Sequence, residues 1–157
     1  MANRIDIQLH DQALWQRLAD LLHAVTDTLP VMRGIAAEMA AETEFAFMDE
    51  GPGWPQLRPA TVAAREAKGR GPHPILQVTN ALARSITTQA DRSQAQIGSN
   101  LVYAAVQQLG GQAGRRSGRV QIPARPYLPI TPGGQLKPQA RQAILDVVMQ
   151  ALTRGQP

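Results

Sequence analysis

The stretch from Ile97 to Leu128, IGSNLVYAAVQQLGGQAGRRSGRVQIPARPYL, joins three dissimilar pieces around which the rest of the chain is organised. After a turn at residues 98–100 comes a short apolar helix, Leu101–Leu109. A Gly/Arg loop follows, Gly110–Arg119, and then Ile122–Leu128, in which two prolines flank an Ala-Arg pair. Because proline fixes its own φ and favours extended geometry in the preceding residue, this last piece, the arm, is predicted to be rigid and non-helical.

The first part of the chain predicts a strand followed by two helices. Arg4–Leu9 alternates apolar and polar residues, as a half-buried strand does. From Asp11, a suitable N-cap, leucines at spacings of 3 and 4 predict a helix that reaches Leu29. Pro30 suits the first turn of a second helix, which we place over about Val31–Met48.

The next segment is a loop with a large side chain in its middle. Asp49–Leu57 is rich in Pro and Gly around Trp54, which is predicted to pin this loop to the body of the protein. We assign Trp54 and Tyr103 as structural anchors. A short basic helix is predicted from Pro59 to Lys68.

A hairpin and a last helix complete the expected fold. Ala81–Arg84 is predicted to be a helical turn, and the β-prone Ser85–Ala90 should pair with Gln94–Gly98 across a short turn. Pro138–Leu152 shows a helical apolar stripe. The 157 residues then form one α+β domain, residues 1–157, with a small antiparallel sheet packed with long N-terminal helices and a C-terminal helix. A flexible Gly/Arg loop is expected at about residues 110–121.

Composition excludes several classes of site and location. The chain has no cysteine, so disulfides and thiolate metal sites are ruled out. Its 3 histidines lie far apart and lack the spacing of metal ligands. The apolar runs are much shorter than the roughly 20 residues that span a bilayer, and the N-terminus lacks a signal-peptide pattern. We expect a soluble protein made in a cytoplasm, with no metal and no membrane contact.

Catalytic motifs are also missing. The glycines at Gly110, Gly111 and Gly114 lack the Gly-Lys-Ser/Thr ending of a phosphate-binding loop. No serine has the surroundings of a nucleophile elbow, and no histidine is placed to serve as its base. We therefore predict that the protein is not an enzyme and uses no cofactor.

Charge divides the chain into two unlike halves. Up to Asp91 there are 8 Lys/Arg and 11 Asp/Glu, whereas Arg92 to Leu145 holds 7 Lys/Arg and no acid. This pattern indicates either a basic surface that meets nucleic acid or an acidic neighbour, or an ordinary solvated loop.

Several landmarks follow one another in a recognisable order. They are Trp54, Leu57 and Thr61, then Ile75-Leu76-x-x-Thr79-Asn80-x-Leu82-x-x-Ser85-Ile86, Ile97-Gly98-Ser99, Tyr103-Ala104, Gly110-Gly111 and Ile122-Pro123-Ala124-Arg125-Pro126-Tyr127-Leu128. The set resembles the phage virion morphogenesis (tail completion) family of Mu-like and related phages, over nearly the whole chain. Asn80 and Pro129 stand where that family commonly has Gly, and these departures affect only local turns.

The resemblance implies a structural, non-enzymatic virion protein that acts late in assembly. It would complete the head-proximal end of the tail, or lie in the neck, as one subunit of a tail-terminator or connector ring. The ring would be hexameric, because tails of the family have sixfold symmetry, and would contact tail-tube or neck proteins and DNA in its lumen. The expected location is the virion, in its tail or neck, after assembly in the host cytoplasm.

Subunit and partner contacts are expected on the loop and the arm. Arg125 would be a fork donor to a carboxylate or a backbone carbonyl of a neighbour, with Tyr127 as anchor, although a salt bridge of Arg125 within its own subunit is an alternative. The predicted interface residues are Arg115, Arg116, Arg119, Pro123, Arg125, Pro126 and Tyr127.

Two other functions remain open from the sequence. One is a basic nucleic-acid-binding accessory protein of phage DNA packaging or retention, with Arg115, Arg116, Arg119 and Arg125 on phosphates. The other is a head-assembly factor that is absent from the finished particle.

Overall fold

A computed structural model describes residues 27–51, 53–71, 74–114 and 118–154, together with Gln16. The strand predicted at Arg4–Leu9 and most of the first predicted helix lie outside these residues. Within them the elements are α1 (Leu29–Met48), α2 (Pro59–Glu66), α3 (Ala81–Arg84), β1 (Ile86–Ala90), β2 (Ala95–Ser99), α4 (Ala104–Leu109), β3 (Gly111–Ala113), β4 (Val120–Ile122) and α5 (Pro138–Arg154).

Helix α1 is the centre of the core. Proline stands in its first turn, as predicted, and the chain leaves the helix at Asp49. Buried residues recur along the helix at spacings of three and four, so they form one apolar face. This face packs against α5 and against the β1–β2 hairpin. These buried residues are Val31, Met32, Ile35, Ala36, Met39, Thr43, Ala46 and Phe47.

The hairpin of β1 and β2 is antiparallel, and it confirms the pairing predicted from the sequence. Its register sets Ile86 opposite Ser99. Asp91 closes the turn by accepting hydrogen bonds from the Ser93 and Gln94 amides at 2.7 and 3.0 Å. Hydrogen bonds from Ser93, and then from Gln94, lower the pKa of Asp91 to about 2.

The remaining helices also follow the predicted plan. Helix α5 runs two residues beyond the predicted end and buries Ala140, Ile144 and Val148 against the core. Asn80, which replaces the glycine of the resembled pattern, has φ of 54° and so adopts the left-handed backbone that this position requires. The described residues have the predicted α+β fold, although their strands form two separate two-stranded antiparallel sheets.

Two local predictions were wrong in detail. Helix α4 begins at Ala104 and not at Leu101, because the preceding residues form a turn that the Ala104 amide closes on the Leu101 carbonyl at 3.0 Å. The expected Gly/Arg loop contains a small hairpin, in which Gly111 faces Ile122 and Ala113 faces Val120. The β-prone residues of β4 form these pairs, and the glycines that indicated a loop allow the turn between the strands.

Candidate functional site

The arm runs through the interior of the protein. Arg125, Tyr127 and Leu128 are buried, and the last two have no exposed surface. The chain stays buried as far as Ile130, which forms an isolated antiparallel bridge with Leu136. Pro123 and Pro126 are half-buried. The arm is therefore part of the core of its own subunit.

Arg125 is held by backbone carbonyls of the loop after α1. Its Nε and Nη2 atoms donate to the Pro55 carbonyl at 3.0 and 2.8 Å, and its own amide donates to the Gln107 carbonyl at 2.8 Å. Burial, and then the nearby positive charge of Arg65, lower the pKa of Arg125. Arg125 is thus a fork donor to a carbonyl, as predicted, but the carbonyl belongs to its own chain.

Tyr127 is likewise satisfied inside its own subunit. Its hydroxyl donates to the Ala104 carbonyl at 3.1 Å, and its ring stacks on Phe47 with centroids 5.3 Å apart. Burial raises the pKa of Tyr127 well above its ordinary value, and the proximity of Tyr103 adds to this effect. We expected Tyr127 to anchor a neighbouring subunit, whereas the contacts seen here anchor the arm.

Trp54 joins the loop after α1 to the arm. It is buried, its Nε1 donates to the Pro126 carbonyl at 3.3 Å, and its ring meets Phe47 edge-on with centroids 6.2 Å apart. The ring lies so close to Gly51 that a Cβ there would be 2.0 Å from it. Trp54 therefore holds the loop against the arm, which is the position that the sequence predicted for it.

Gln108 and Lys137 also hold the arm, and sequence reasoning missed both. Gln108 is fully buried in α4; its Oε1 accepts from the Leu128 amide at 2.9 Å, and its Nε2 donates to the Ile130 carbonyl at 3.2 Å. Lys137 donates from Nζ to the Pro126 carbonyl at 2.8 Å, and desolvation lowers its pKa against the opposing effect of Glu42. A signal was available for Gln108, which lies one helical turn after the apolar Ala104.

The hydrogen bonds of this network hold the arm in place. The hydroxyl of Tyr127 and the Nε and Nη2 atoms of Arg125 are directed at backbone carbonyls. In the residues that the structure describes, no group of three or more His, Asp or Glu side chains is placed to hold a metal ion. No described helix combines the length and apolar character needed to cross a membrane.

A cleft opens beside the C-terminal end of α1. It has a volume of about 370 Å³ and is lined by Ala40, Thr43, Glu44, Phe47, Met48, Ala83, Ile86 and Thr88. Met48 is 75% exposed and Phe45 is 57% exposed, so apolar groups face solvent here. Glu44 and Asp49 add negative charge, and the last turn of α1 has no basic residue. We call Glu44, Met48 and Ile86, which line the cleft, and the exposed Phe45, which is adjacent to Glu44 in α1, the cleft surface.

A second group of exposed apolar residues lies just before α4, on α4 and on β4. Val102, Leu109 and Val120 are all exposed, Val102 to 74%, and Arg119 beside Val120 is exposed as well. We call these four residues the hairpin surface. Arg115 and Arg116, predicted to act with Arg119, lie outside the described residues.

Tyr103, which the sequence assigned as a structural anchor, lies on this outer side too. It is 40% exposed. Because α4 starts at Ala104, the residues that point inward are Ala104 and Gln108, four apart, and Tyr103 is turned outward.

Fold and contacts together define a small α+β domain whose arm is fixed internally and whose unpartnered apolar groups lie on its surface. Residues 9–153 match the model of the phage virion morphogenesis family, and the chain belongs to that family. The resemblance seen in the sequence is thereby confirmed.

Two relatives show the same kinship. The chain is 34% identical over 143 residues to the putative capsid assembly protein G of Escherichia phage Mu, with 88% of each chain covered. It is 35% identical over 130 residues to the Mu-like prophage FluMu G protein 2 of Haemophilus influenzae, covering 82% of this chain and 86% of the relative. No solved structure matches.

Proposed function

We propose that this protein completes the head-proximal end of a phage tail and joins the tail to the head, as one subunit of a tail-terminator or neck-connector ring. Membership of the virion morphogenesis family supports a structural role in assembly. The observation that carries the ring is the division of charge between an acidic half up to Asp91 and the acid-free stretch Arg92–Leu145. A ring with head-to-tail contacts needs two unlike surfaces on each subunit, and this division of charge along the chain supports such a pair.

The name of the relative from phage Mu favours the head side of the joint over the tail side. Its name, putative capsid assembly protein G, points to the head. A protein that acts where the head meets the tail has contacts with both, so we keep the joint as the proposal and leave the side to experiment.

The second candidate function is that of a basic accessory protein that binds nucleic acid, and one observation favours it. Arg119 is exposed on the small hairpin, and the structure gives it no acidic partner among the described residues. Against this reading, Arg125 and Lys137 of the acid-free stretch already donate to backbone carbonyls, which leaves fewer cations for phosphates. If DNA is bound, affinity should fall steeply with salt, and Arg119→Ala should lower the slope by about one.

Electron microscopy of lysates tests the role directly. The phage used should carry a nonsense mutation in the gene of this protein, with the wild-type gene supplied in trans as the control. Filled heads beside unattached tails, with tails of irregular length, are expected. Empty heads with normal free tails would move the protein to head completion, and intact virions would contradict a structural role.

A further inference from the structure

Exposed apolar side chains are concentrated at two places on the described part of this protein. Of the eight large ones, two lie at the end of α1 and four lie on or beside α4 and β4. The eight are Phe45, Met48, Val62, Val102, Tyr103, Leu109, Val120 and Met149. Their grouping matters because scattered exposed apolar residues are ordinary, whereas grouped ones mark surfaces that another molecule covers.

The cleft surface is concave, apolar and negative. On α1, Glu44, Phe45 and Met48 fall within about 100° of one another, since each helical residue advances by that angle. Ile86 of the β1–β2 hairpin lines the same cleft from the opposite side. The carboxylates of Glu44 and Asp49 stand at the C-terminal end of a helix, where the helix dipole is already negative. A cation with apolar neighbours would fit this site best.

The hairpin surface has the complementary properties. In the described residues, β3 and β4 pair with each other and touch α4, and have no comparable packing against α1 or α5. A two-stranded hairpin this short gains little stability alone, so it is suited to being covered by a partner. Val120 is 52% exposed on it, and the positive side chain of Arg119 is adjacent.

We propose that the cleft surface of one copy receives the β3–β4 hairpin of a second copy, with Val120 against Met48 and Arg119 towards Glu44. The occupant is a second copy for two reasons. The acidic cleft repels nucleic acid, and the same chain carries an apolar hairpin whose charge is positive where that of the cleft is negative. The two surfaces differ, so the contact is head-to-tail and continues from copy to copy. This inference rests on the proposed function as a ring subunit and names the contact that closes the ring.

Two variants, each with one surface altered, test this contact. Met48→Lys places a cation against the apolar Val120 and close to Arg119, and Val120→Asn removes the apolar group of the hairpin. Each variant should assemble with an association constant reduced about tenfold or more, as expected for the centre of an interface. Met149→Lys and Val62→Asn are matched controls, because both residues are exposed and lie outside the two surfaces. The controls should assemble as the wild type does.

Mixing the two variants gives the sharper result. One intact cleft and one intact hairpin remain in the mixture, so a head-to-tail contact predicts one-to-one dimers that cannot grow further. Sedimentation velocity of the full chain at several concentrations measures this directly, with circular dichroism to verify that each variant is folded.

Other outcomes overturn the contact. Rings that form from either variant alone at the same concentrations as those of the wild type, rings from the mixture at those concentrations, or a mixture that stays monomeric all contradict it. A wild type that is monomeric at every concentration assigns the cleft to a different protein and also overturns it. These results are separate from those of the lysate experiment. If the lysate contains unattached tails but the variants assemble normally, the proposed function stands and the contact is wrong. If the virions are intact but the mixed variants form the expected dimers, the contact stands and the proposed function is wrong.

Discussion

The arm and the β3–β4 hairpin are neighbours in sequence and opposites in structure. Arg125 and Tyr127 of the arm are buried, and both donate hydrogen bonds to backbone carbonyls of distant loops or helices. Arg119 and Val120, a few residues earlier, face solvent, and their hairpin rests on α4 alone among the larger described contacts. One acid-free, arginine-containing stretch thus supplies both a structural core and a free surface.

This difference teaches that charge pattern alone does not reveal the role of a basic residue. Two nitrogens of Arg125 donate to a neutral main-chain carbonyl, so the positive charge of this residue does not indicate an acidic partner or a phosphate. Among the residues that the structure describes, Arg119 has no such contact. Substitutions in the arm should therefore reduce the stability of the fold, and substitutions in the hairpin should leave it unchanged.

The two tyrosines should show the largest contrast. Tyr127→Ala removes a ring with no exposed surface and leaves a cavity against Phe47, so we expect a loss of about 3–5 kcal/mol in the free energy of unfolding. Tyr103→Ala should cost less than about 1 kcal/mol, because that side chain is 40% exposed. Urea unfolding measures both. Equal losses would contradict the assignment of the arm to the core.

Gln108 gives the next largest effect. Gln108→Leu keeps the volume roughly constant but leaves the Leu128 amide and the Ile130 carbonyl without their side-chain partner inside the core, which should cost about 2–4 kcal/mol. The matched control is Gln112→Leu in the hairpin, where the side chain is exposed and we expect a change within about 0.5 kcal/mol. A stable Gln108→Leu variant would show that these two hydrogen bonds do not hold the arm.

Arg125→Lys should have an intermediate effect. A single ammonium group cannot reproduce the planar fork that reaches the Pro55 carbonyl with two nitrogens, so about 1–2 kcal/mol of unfolding free energy should be lost while the charge is kept. Arg119→Lys should leave thermal unfolding unchanged, because Arg119 is exposed. If both lysine variants unfolded like the wild type, the charge of Arg125 and not its geometry would be what matters.

Much of the fold was predictable because its signals are local. The apolar spacing and the proline in the first turn predict α1, and a turn between two β-prone segments predicts the β1–β2 hairpin. The start of α4 was misplaced by three residues, since a closed turn and the first turn of a helix share the same composition.

The partners of the arm could not be predicted, because they are distant in the chain. Arg125 and the Pro55 carbonyl are 70 residues apart, and no periodicity relates them. From the sequence we expected Arg125 to be a fork donor to a neighbouring subunit, whereas it donates to a carbonyl of its own chain, and a backbone acceptor has no side-chain signature. The burial of Trp54 was easier to predict, since a single large apolar side chain in a polar loop has few alternatives to burial.

Gly114→Ala should have the smallest effect on stability and a clear effect on the hairpin. Gly114 has φ of 112°, and a Cβ there would lie 2.6 Å from the Gly118 carbonyl oxygen, so alanine must open the connection between β3 and β4. Few contacts join this hairpin to the core, and the free energy of unfolding should fall by less than about 0.5 kcal/mol while the β3 and β4 amides exchange faster.

Gly133→Ala is the control for this change, because Gly133 is exposed and its added Cβ would meet only the Thr131 hydroxyl at 3.7 Å. A loss above about 2 kcal/mol in Gly114→Ala would mean that the hairpin unfolds with the core. The contrast between arm and hairpin would then fail. An unchanged melting temperature with lost self-association would instead separate folding from assembly within one glycine-to-alanine substitution, since only the hairpin surface would have been disturbed.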